Sequence, residues 1–229
     1  KLVTGVQTCA LPIYSKKRFF AEFIGTFVVV VCATGSVVAN AKSGGSIGLW
    51  YEAFAPFVGV TLMVYAFGKI SLAQFNPAVT IAFYITKHIT RRQIPIYLAA
   101  QTTGAFSGIL FVKYVIGDET NLGANAPNYS YPLWEILGIE ILATLLLMAV
   151  ILFVVHNKGL KGLGGIVIGG IIGMDIFFFS FISGASMNPI RALVPAVLSG
   201  FFRDLWIYWT APFVGTVLIG IIYKSKFKK

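Results

Sequence analysis

The chain has 229 residues, of which 57% are hydrophobic and only 11% are charged. A soluble domain carries about 25% charged residues, so this composition excludes an ordinary soluble protein and indicates an integral membrane protein. The formal net charge of +10 could suit nucleic-acid binding. However, the positive residues collect at the ends of apolar segments, which favours a membrane protein with no nucleic-acid partner.

The first residues of the chain look foreign to the rest. The chain starts with Lys1, and the segment from Val3 to Ile13 resembles the translation of a sequencing-library adapter. This segment is also too short and wrongly patterned for a secretory signal peptide. We therefore expect residues 1–13 to be an assembly artefact and residues 14–229 to form a single membrane domain.

Six apolar segments are long enough to cross a bilayer, which takes about 20 residues of helix. A polar stretch rich in Asn, Gly, Pro and Tyr, typical of an external loop, separates the third segment from the fourth at residues 117–132. The sequence therefore predicts an all-α membrane protein. In chain order the predicted spans are residues 19–40, 53–69, 94–116, 133–155, 163–182 and 205–223.

Two shorter apolar segments each begin with a similar tripeptide. Asn76-Pro77-Ala78 opens residues 76–85, and Asn188-Pro189-Ile190 opens residues 188–198. Asn is a preferred N-cap and Pro is tolerated in the first helical turn, so each tripeptide predicts a helix start. Neither segment can cross a bilayer, and non-helical backbone at membrane depth must line protein or a water-filled cavity. We therefore expect two half-helices at the centre of a pore.

The two halves of the chain repeat one another. The segment around Glu22 resembles the segment around Glu140, and each Glu lies inside the first span of its half. Each half, residues 15–116 and 133–224, contains three spans. Because three is an odd number, the second half inserts upside down relative to the first. This arrangement is an inverted repeat about an axis in the membrane plane.

The positive residues mark one side of the membrane. They cluster at Lys16 to Arg18, Lys87 to Arg92, Lys158, Lys161 and Lys224 to Lys229. All of these fall on the same side if the chain crosses the bilayer six times. By the positive-inside rule, this pattern predicts a multi-pass protein of the plasma membrane with both termini in the cytoplasm.

The paired Asn-Pro motifs, Arg191 three residues after Asn188, and the Glu in each half resemble the aquaporin, or major intrinsic protein, family, of the microbial type. The resemblance covers residues 15–224. It implies six tilted helices and two half-helices around one pore, assembled as a homotetramer, that conducts water passively across a lipid bilayer. It implies no enzyme, cofactor or metal. The sequence likewise carries no phosphate loop, no metal-ligand cluster and no membrane-embedded His partner for Ser183.

The resemblance assigns roles to the residues that carry it. Asn76 and Asn188 are expected to donate side-chain N–H groups to water at the pore centre, where both half-helices point their positive ends. This arrangement repels cations and breaks the water chain that proton hopping needs. Arg191 is expected at the outer constriction. Glu22 and Glu140 are expected to accept hydrogen bonds from backbone N–H groups of the loops before the half-helices.

Three further constriction positions follow by counting from the two motifs. Ala185 lies three residues and Ile176 twelve residues before Asn188. Pro56 lies twenty residues before Asn76, with its neighbour Phe57 as the alternative if the register shifts by one residue. Strict water channels of the family usually have His at the Ile176 position and an aromatic residue at the Pro56 position. This filter is therefore expected to be less polar and wider around Arg191. Glycerol channels usually have Asp after the Arg, where this chain has Ala192. A water channel that also passes small uncharged solutes and a glycerol- or ammonia-type facilitator both stay open.

Several residues depart from the family pattern or lie outside it. Gln74 stands where the family usually has His, which keeps a hydrogen-bonding side chain without a titratable group. Ile190 replaces the usual Ala, and its bulk is expected to shift the half-helix packing or narrow the pore centre. Asp175 has no assigned role, and its side chain faces either a neighbouring helix or the pore vestibule. A secondary transporter that uses Asp175 is the alternative from another class. His88 and His156 are expected to be solvated loop residues.

Overall fold

The structure, a computed structural model, describes residues 5–160 and 162–227. Residues 1–4 of the predicted artefact lie outside these residues, and the prediction for residues 1–13 stays untested. The described residues contain helices and no strand. The helices are α1 (Gly5–Lys42), α2 (Leu49–Ser71), α3 (Pro77–Ile85), α4 (Ile94–Phe111), α5 (Glu119–Gly123), α6 (Leu133–His156), α7 (Gly164–Ser183), α8 (Pro189–Ser199) and α9 (Leu205–Phe227), with short 3-10 or π turns at Arg91–Gln93, Val112–Ile116 and Lys158–Leu160.

Six helical segments in the described residues are long and apolar enough to cross a membrane. They correspond one to one with the six spans that the sequence predicts, so the all-α membrane fold is confirmed. The ends differ by a few residues. For example, α2 begins at Leu49 rather than at residue 53, because interfacial aromatic residues such as Trp50 continue the helix beyond the apolar run. The segments are Ser15–Lys42, Leu49–Ser71, Arg91–Ile116, Leu133–His156, Gly164–Ser183 and Leu205–Lys226.

The two half-helices are α3, with 9 residues, and α8, with 11 residues. Each has Pro at its first position and Asn as its N-cap, as both tripeptides predict. Most of their residues are buried, because each half-helix lies inside the bundle and contacts both α4 and α9. The structure therefore confirms six spans plus two half-helices.

The helix contacts repeat between the halves in the way that an inverted repeat requires. In the first half α1 contacts α2 and α4, and in the second half α6 contacts α7 and α9. The half-helix α3 packs mainly on α9, and α8 packs on α4 and α9. The two repeats therefore share helix contacts across the centre of the bundle.

Two equivalent glycines allow close helix contacts. A Cβ atom at Gly104 in α4 would lie 2.3 Å from the backbone oxygen of Phe23 in α1. A Cβ atom at Gly215 in α9 would lie 2.5 Å from the backbone oxygen of Ile141 in α6. Small residues at membrane helix contacts let the backbones approach closely, so these glycines set the spacing of the matching helix pairs.

Residues 117–132, which the sequence predicts as an external loop between the halves, contain a helical turn and buried contacts. The turn is α5, in which Thr120, Asn121 and Leu122 have positive φ angles. Leu122 is only 1% exposed and packs with residues of α1, α4 and α8. Asn125 donates its side-chain N–H to the backbone oxygen of Gly184 at 2.8 Å. The linking segment is thus fixed against the loop before the second half-helix.

Candidate functional site

The site begins with the two Asn residues that cap the half-helices. Asn76 has an extended backbone, and its Oδ1 accepts from the N–H of Ala78 at 2.9 Å. Asn188 is also extended, and its Oδ1 accepts from the N–H of Ile190 at 3.2 Å. Side-chain oxygens that satisfy a free N–H at a helix start are typical of N-caps. Both side-chain oxygens therefore face the protein backbone.

The nitrogens of the same two amides join the repeats. Asn76 Nδ2 donates to the backbone oxygen of Met187 at 2.8 Å, and Asn188 Nδ2 donates to the backbone oxygen of Phe75 at 2.9 Å. Each half-helix start is thus bonded to the residue before the opposite motif. An amide nitrogen carries two hydrogens, so one N–H of each Asn remains for a molecule in the cavity.

The loops before the half-helices have an unusual backbone. In the first loop Leu72, Ala73 and Phe75 have positive φ angles, and in the second loop Ala185 and Met187 do. Such residues are uncommon in this region of φ, and each costs about 1–3 kcal/mol unless the surroundings hold it. The surroundings here must therefore supply strong compensating contacts.

Glu22 supplies these contacts for the first loop. Its carboxylate, fully buried in α1, accepts from the backbone N–H of Gln74 at 2.9 Å and of Phe75 at 2.8 Å. It also accepts from Ser71 Oγ at 2.6 Å and from Gln101 Nε2 at 2.9 Å. A buried charge is tolerated when hydrogen bonds surround it, and here four donors converge on one side chain. Glu22 thereby holds the strained loop in place.

Glu140 occupies the equivalent place in the second half. It is fully buried in α6 and accepts from the backbone N–H of Met187 at 2.6 Å and from Ser183 Oγ at 2.9 Å. Gln101, which assists Glu22, has no counterpart here because the matching residue of α9 is Pro212. Glu140 thus holds its loop with fewer side-chain donors than Glu22 has.

Sequence reasoning missed two tyrosines that support the same loops. Tyr97 donates its hydroxyl to the backbone oxygen of Ser71 at 2.8 Å, and Tyr208 donates to the backbone oxygen of Ser183 at 2.6 Å. Both tyrosines are only 1% exposed. A signal was present in the sequence, because Tyr97 and Tyr208 occupy matching positions of the two repeats.

One cavity brings the predicted filter residues together. Arg191, Ala185, Ile176 and Pro56 all line it, although they come from α8, the loop before it, α7 and α2. Most of the lining is aliphatic. The polar side chains that line the cavity belong to Gln74, Asn76, Ser186, Asn188 and Arg191.

The remaining residues of the two tripeptides do not line this cavity. Pro77, Ala78, Pro189 and Ile190 are buried in the protein instead. Ile190 packs with Val194 and its neighbours in the apolar cluster around α8. The expectation that Ile190 could narrow the pore centre is therefore wrong, because its side chain occupies the space between helices.

Among the described residues, Arg191 is the only charged one that lines the cavity. It is 8% exposed, and its Nη2 lies 3.5 Å from the backbone oxygen of Ala33, which is a weak contact. Its Nη1 has no partner among the described residues. Arg191 lies in the first turn of α8, where the positive helix end disfavours another cation. A buried cation inside a membrane protein is costly, which makes Arg191 a candidate functional residue.

Asp175 lies apart from this cavity. It precedes Ile176 in α7 and is 2% exposed, but it is not among the residues that line the cavity. Its Oδ2 has no hydrogen-bond partner among the described residues. A carboxylate that couples solute movement to protons must reach the solute path, so the geometry does not favour the transporter alternative.

Comparison with known proteins agrees with this arrangement. The family model described as "Major intrinsic protein" matches residues 11–223. The chain is 36% identical over 207 residues to "Probable aquaporin NIP7-1" of Arabidopsis thaliana, covering 90% of this chain and 74% of that protein. It is 36% identical over 213 residues to "Aquaporin NIP2-3" of Zea mays, covering 93% of this chain and 70% of that protein.

A solved structure has the same fold. The X-ray structure of the aquaglyceroporin from Plasmodium falciparum superposes with a TM-score of 0.78 at 25% sequence identity. The match covers 93% of this chain and 97% of that chain. The likeness therefore includes both repeats and the loops between them.

Proposed function

Since this chain belongs to the major intrinsic protein family, we propose that it is a passive channel for water and small uncharged solutes that excludes protons and ions. The observation that carries the solute preference is the composition of the cavity. Arg191 faces a cavity whose other predicted filter residues are Pro56, Ile176 and Ala185. None of these three has an aromatic ring or a hydrogen-bonding side chain, so they leave space for a solute larger than water.

The polarity of the two Asn side chains supports the exclusion of protons. Each Oδ1 accepts from its own half-helix, and each Nδ2 has one N–H that the opposite repeat does not use. The cavity centre is therefore lined by donors, and a water molecule there must act as an acceptor toward both Asn76 and Asn188. Its own hydrogens then point away from the centre in both directions, and this interrupts a continuous proton wire.

Electrostatics add to the exclusion of cations. The starts of α3 and α8 both face the cavity centre, and each carries the partial positive charge of a helix N-terminus. Arg191 adds a full positive charge to the same cavity. An aliphatic wall cannot replace the hydration shell that an ion would lose, so ions of either sign meet a desolvation barrier.

The protein's membrane context follows from the same features. The six apolar helices make it a multi-pass membrane protein. The basic residues Lys16 to Arg18, at the start of the apolar part of α1, and Lys224 and Lys226 in the last turn of α9 support an orientation with both termini in the cytoplasm, which we expect in the plasma membrane. A homotetramer in which each chain carries its own pore is the assembly expected of the family. Mass photometry in lipid nanodiscs would measure the number of chains.

The test is stopped-flow light scattering on proteoliposomes. An impermeant osmolyte measures water flux, and inward gradients of glycerol, urea and ammonia measure solute flux. We expect fast water flux together with glycerol uptake well above that of empty liposomes. Fast water flux with glycerol uptake equal to that of empty liposomes would make the protein a strict water channel. Absence of all these fluxes from correctly folded protein would contradict the channel proposal itself.

A further inference from the structure

The chain contains two histidines in total, and the fold brings them into contact. His88 follows α3, and His156 lies in the last turn of α6. Their Nε2 atoms are 3.3 Å apart and their ring centroids 5.1 Å apart. The hydroxyl of Tyr223 in α9 lies 2.5 Å from His156 Nε2. Both were expected to be solvated loop residues. His156 is exposed but ends helix α6 rather than lying in a loop, and helix packing joins it to the half-buried His88.

The hydrogen bonds of the other ring nitrogens define the tautomers. His156 Nδ1 lies 2.7 Å from the backbone oxygen of Leu152. A carbonyl oxygen only accepts, so His156 Nδ1 carries the hydrogen. His88 Nδ1 lies 2.8 Å from Thr86 Oγ1, which donates its own hydrogen to the backbone oxygen of Ala82. His88 Nδ1 can therefore donate to that hydroxyl oxygen. With hydrogens on both Nδ1 atoms, the neutral imidazoles direct the lone pairs of their Nε2 atoms toward the same region.

We propose that His88, His156 and Tyr223 form a binding site for a divalent transition metal ion of the zinc type. Two ligands at about 2.0–2.1 Å from a tetrahedral zinc ion are about 3.4 Å apart, and the two Nε2 atoms are separated by 3.3 Å. The phenol oxygen of Tyr223 provides the third ligand after a small outward shift from His156. Water completes the tetrahedron, as in open zinc sites with three protein ligands.

The surroundings of the imidazoles match those of metal ligands. A metal-bound His usually donates its second N–H to a carbonyl or another acceptor, which fixes the ring and its tautomer. Here Leu152 and Thr86 are those acceptors. His156 is exposed and His88 is half-buried, so an ion from solution can reach both. The rings are therefore oriented by the protein and accessible to a metal.

The local charges determine which class of ion fits. The site lies at the C-terminal end of α6 and the last turns of α9, where partial negative charge favours a cation. Lys87 and Lys224, which are exposed and precede His88 and follow Tyr223 in the sequence, carry positive charge that weakens this preference for a cation. No carboxylate is among the proposed ligands, so hard ions such as Ca²⁺ and Mg²⁺ are disfavoured. Neutral imidazoles instead bind Zn²⁺, Ni²⁺ and Cu²⁺.

A bound ion would connect the two repeats. His88 follows the half-helix that begins at Asn76, whereas His156 and Tyr223 belong to the second repeat. The ion would fix the end of α3 to α6 and α9. Because it binds only when these elements are assembled, it also raises the stability of the folded protein.

Isothermal titration calorimetry with ZnCl₂ tests the site on the full chain without a polyhistidine tag. The background is the variant Cys9→Ser/Cys32→Ser, so that no thiol competes. We expect one Zn²⁺ per chain and a higher melting temperature with Zn²⁺. Removing only the hydrogen-bond partner of a metal-bound His weakens metal binding about 10–100-fold. Because His88→Gln and His156→Gln each remove a ligand itself, each should raise the Kd for Zn²⁺ at least tenfold. Tyr223→Phe keeps the ring and removes the ligand oxygen, and it should weaken binding less than the His variants.

Three outcomes would overturn the proposal. First, the Cys9→Ser/Cys32→Ser variant could fail to bind one Zn²⁺ per chain. The contact between the two imidazoles would then be only a hydrogen bond. Binding could survive unchanged in His88→Gln/His156→Gln, in which case the ion lies elsewhere. Equal binding of Mg²⁺ would indicate a nonspecific site. Water flux in the zinc-free His variants shows that they are folded, so loss of binding cannot be ascribed to unfolding.

Discussion

Asn76 of the first repeat donates its side-chain N–H to the backbone oxygen of Met187 in the second repeat, at 2.8 Å. Met187 in turn donates its backbone N–H to Glu140 at 2.6 Å. A buried carboxylate in α6 is therefore linked through one residue to the cap of the opposite half-helix. Because of these linked hydrogen bonds, the position of each half-helix depends on both repeats. The bonds fix the short helices at the centre of the bundle.

Replacing Arg191 by Val should relax the exclusion of charged species. Val removes the cavity's only charged side chain without burying a new polar group, so the fold should persist. We expect unchanged melting temperature, retained water flux and a clear rise in proton and ion leak, measured with pH-sensitive and chloride-sensitive dyes in liposomes. Arg191→Lys is the matched control, because it keeps the charge and should leak less than Arg191→Val. Equal leak in Arg191→Val and the unmodified protein would contradict the filter assignment.

Replacing Glu22 by Gln should destabilise the protein. A Gln side chain has one accepting oxygen, and its NH₂ group would face donors such as the N–H of Gln74 or Phe75. Hydrogen bonds to charged groups contribute about 1.5–3 kcal/mol each, so we expect a loss of about 2–3 kcal/mol in the free energy of unfolding. Thermal unfolding in detergent measures it. Asp118→Asn, an exposed carboxylate change, is the control and should leave the melting temperature unaltered.

Adding one methyl group at Gly104 or Gly215 should also destabilise the fold. Each new Cβ would come within 2.5 Å of a backbone oxygen of the neighbouring helix, and backbone cannot move aside as a side chain can. Overpacking of this kind costs about 1–3 kcal/mol. Gly138→Ala is the control, because its Cβ would meet no atom within 4 Å. If all three variants unfold at the same temperature, close helix contact is not what these glycines provide.

Replacing Asp175 by Asn separates a channel from a proton-coupled carrier. Asn has nearly the same shape, and Asp175 does not line the cavity. We therefore expect water and glycerol fluxes within experimental error of the unmodified protein at every pH measured. A solute flux that is abolished in Asp175→Asn, or that follows an imposed proton gradient in the unmodified protein, would instead favour the carrier.

Replacing Ile176 by His should narrow the filter and make it more polar. The imidazole ring is wider than the end of the Ile side chain. It also adds a group that can form hydrogen bonds with water. We expect glycerol uptake to fall severalfold while water flux changes little, both measured by stopped-flow light scattering. Ile176→Leu conserves volume and should retain glycerol uptake. Unchanged glycerol uptake in Ile176→His would show that the constriction lies elsewhere.

Much of the fold could be predicted from the sequence because the bilayer imposes simple rules on length and polarity. Apolar segments long enough to cross the membrane gave the six spans, and the two tripeptides gave the two half-helices. Counting back from Asn76 and Asn188 also selected Pro56, Ile176 and Ala185, which line the same cavity as Arg191. The offsets come from the family resemblance, and the role of these residues as a filter stays a prediction.

By itself, then, the sequence determined the spans, the half-helices and the inverted repeat, because these depend on local hydrophobicity and helical periodicity. Only the tertiary structure decided which groups meet. The bonds from Asn76 to Met187 and from Asn188 to Phe75, the burial of Ile190 between helices, and the contact of His88 with His156 join residues that are distant in the chain or depend on helix packing. Hydrogen bonds require distances near 3 Å, and the spacing of residues along a chain does not fix the distance between two helices.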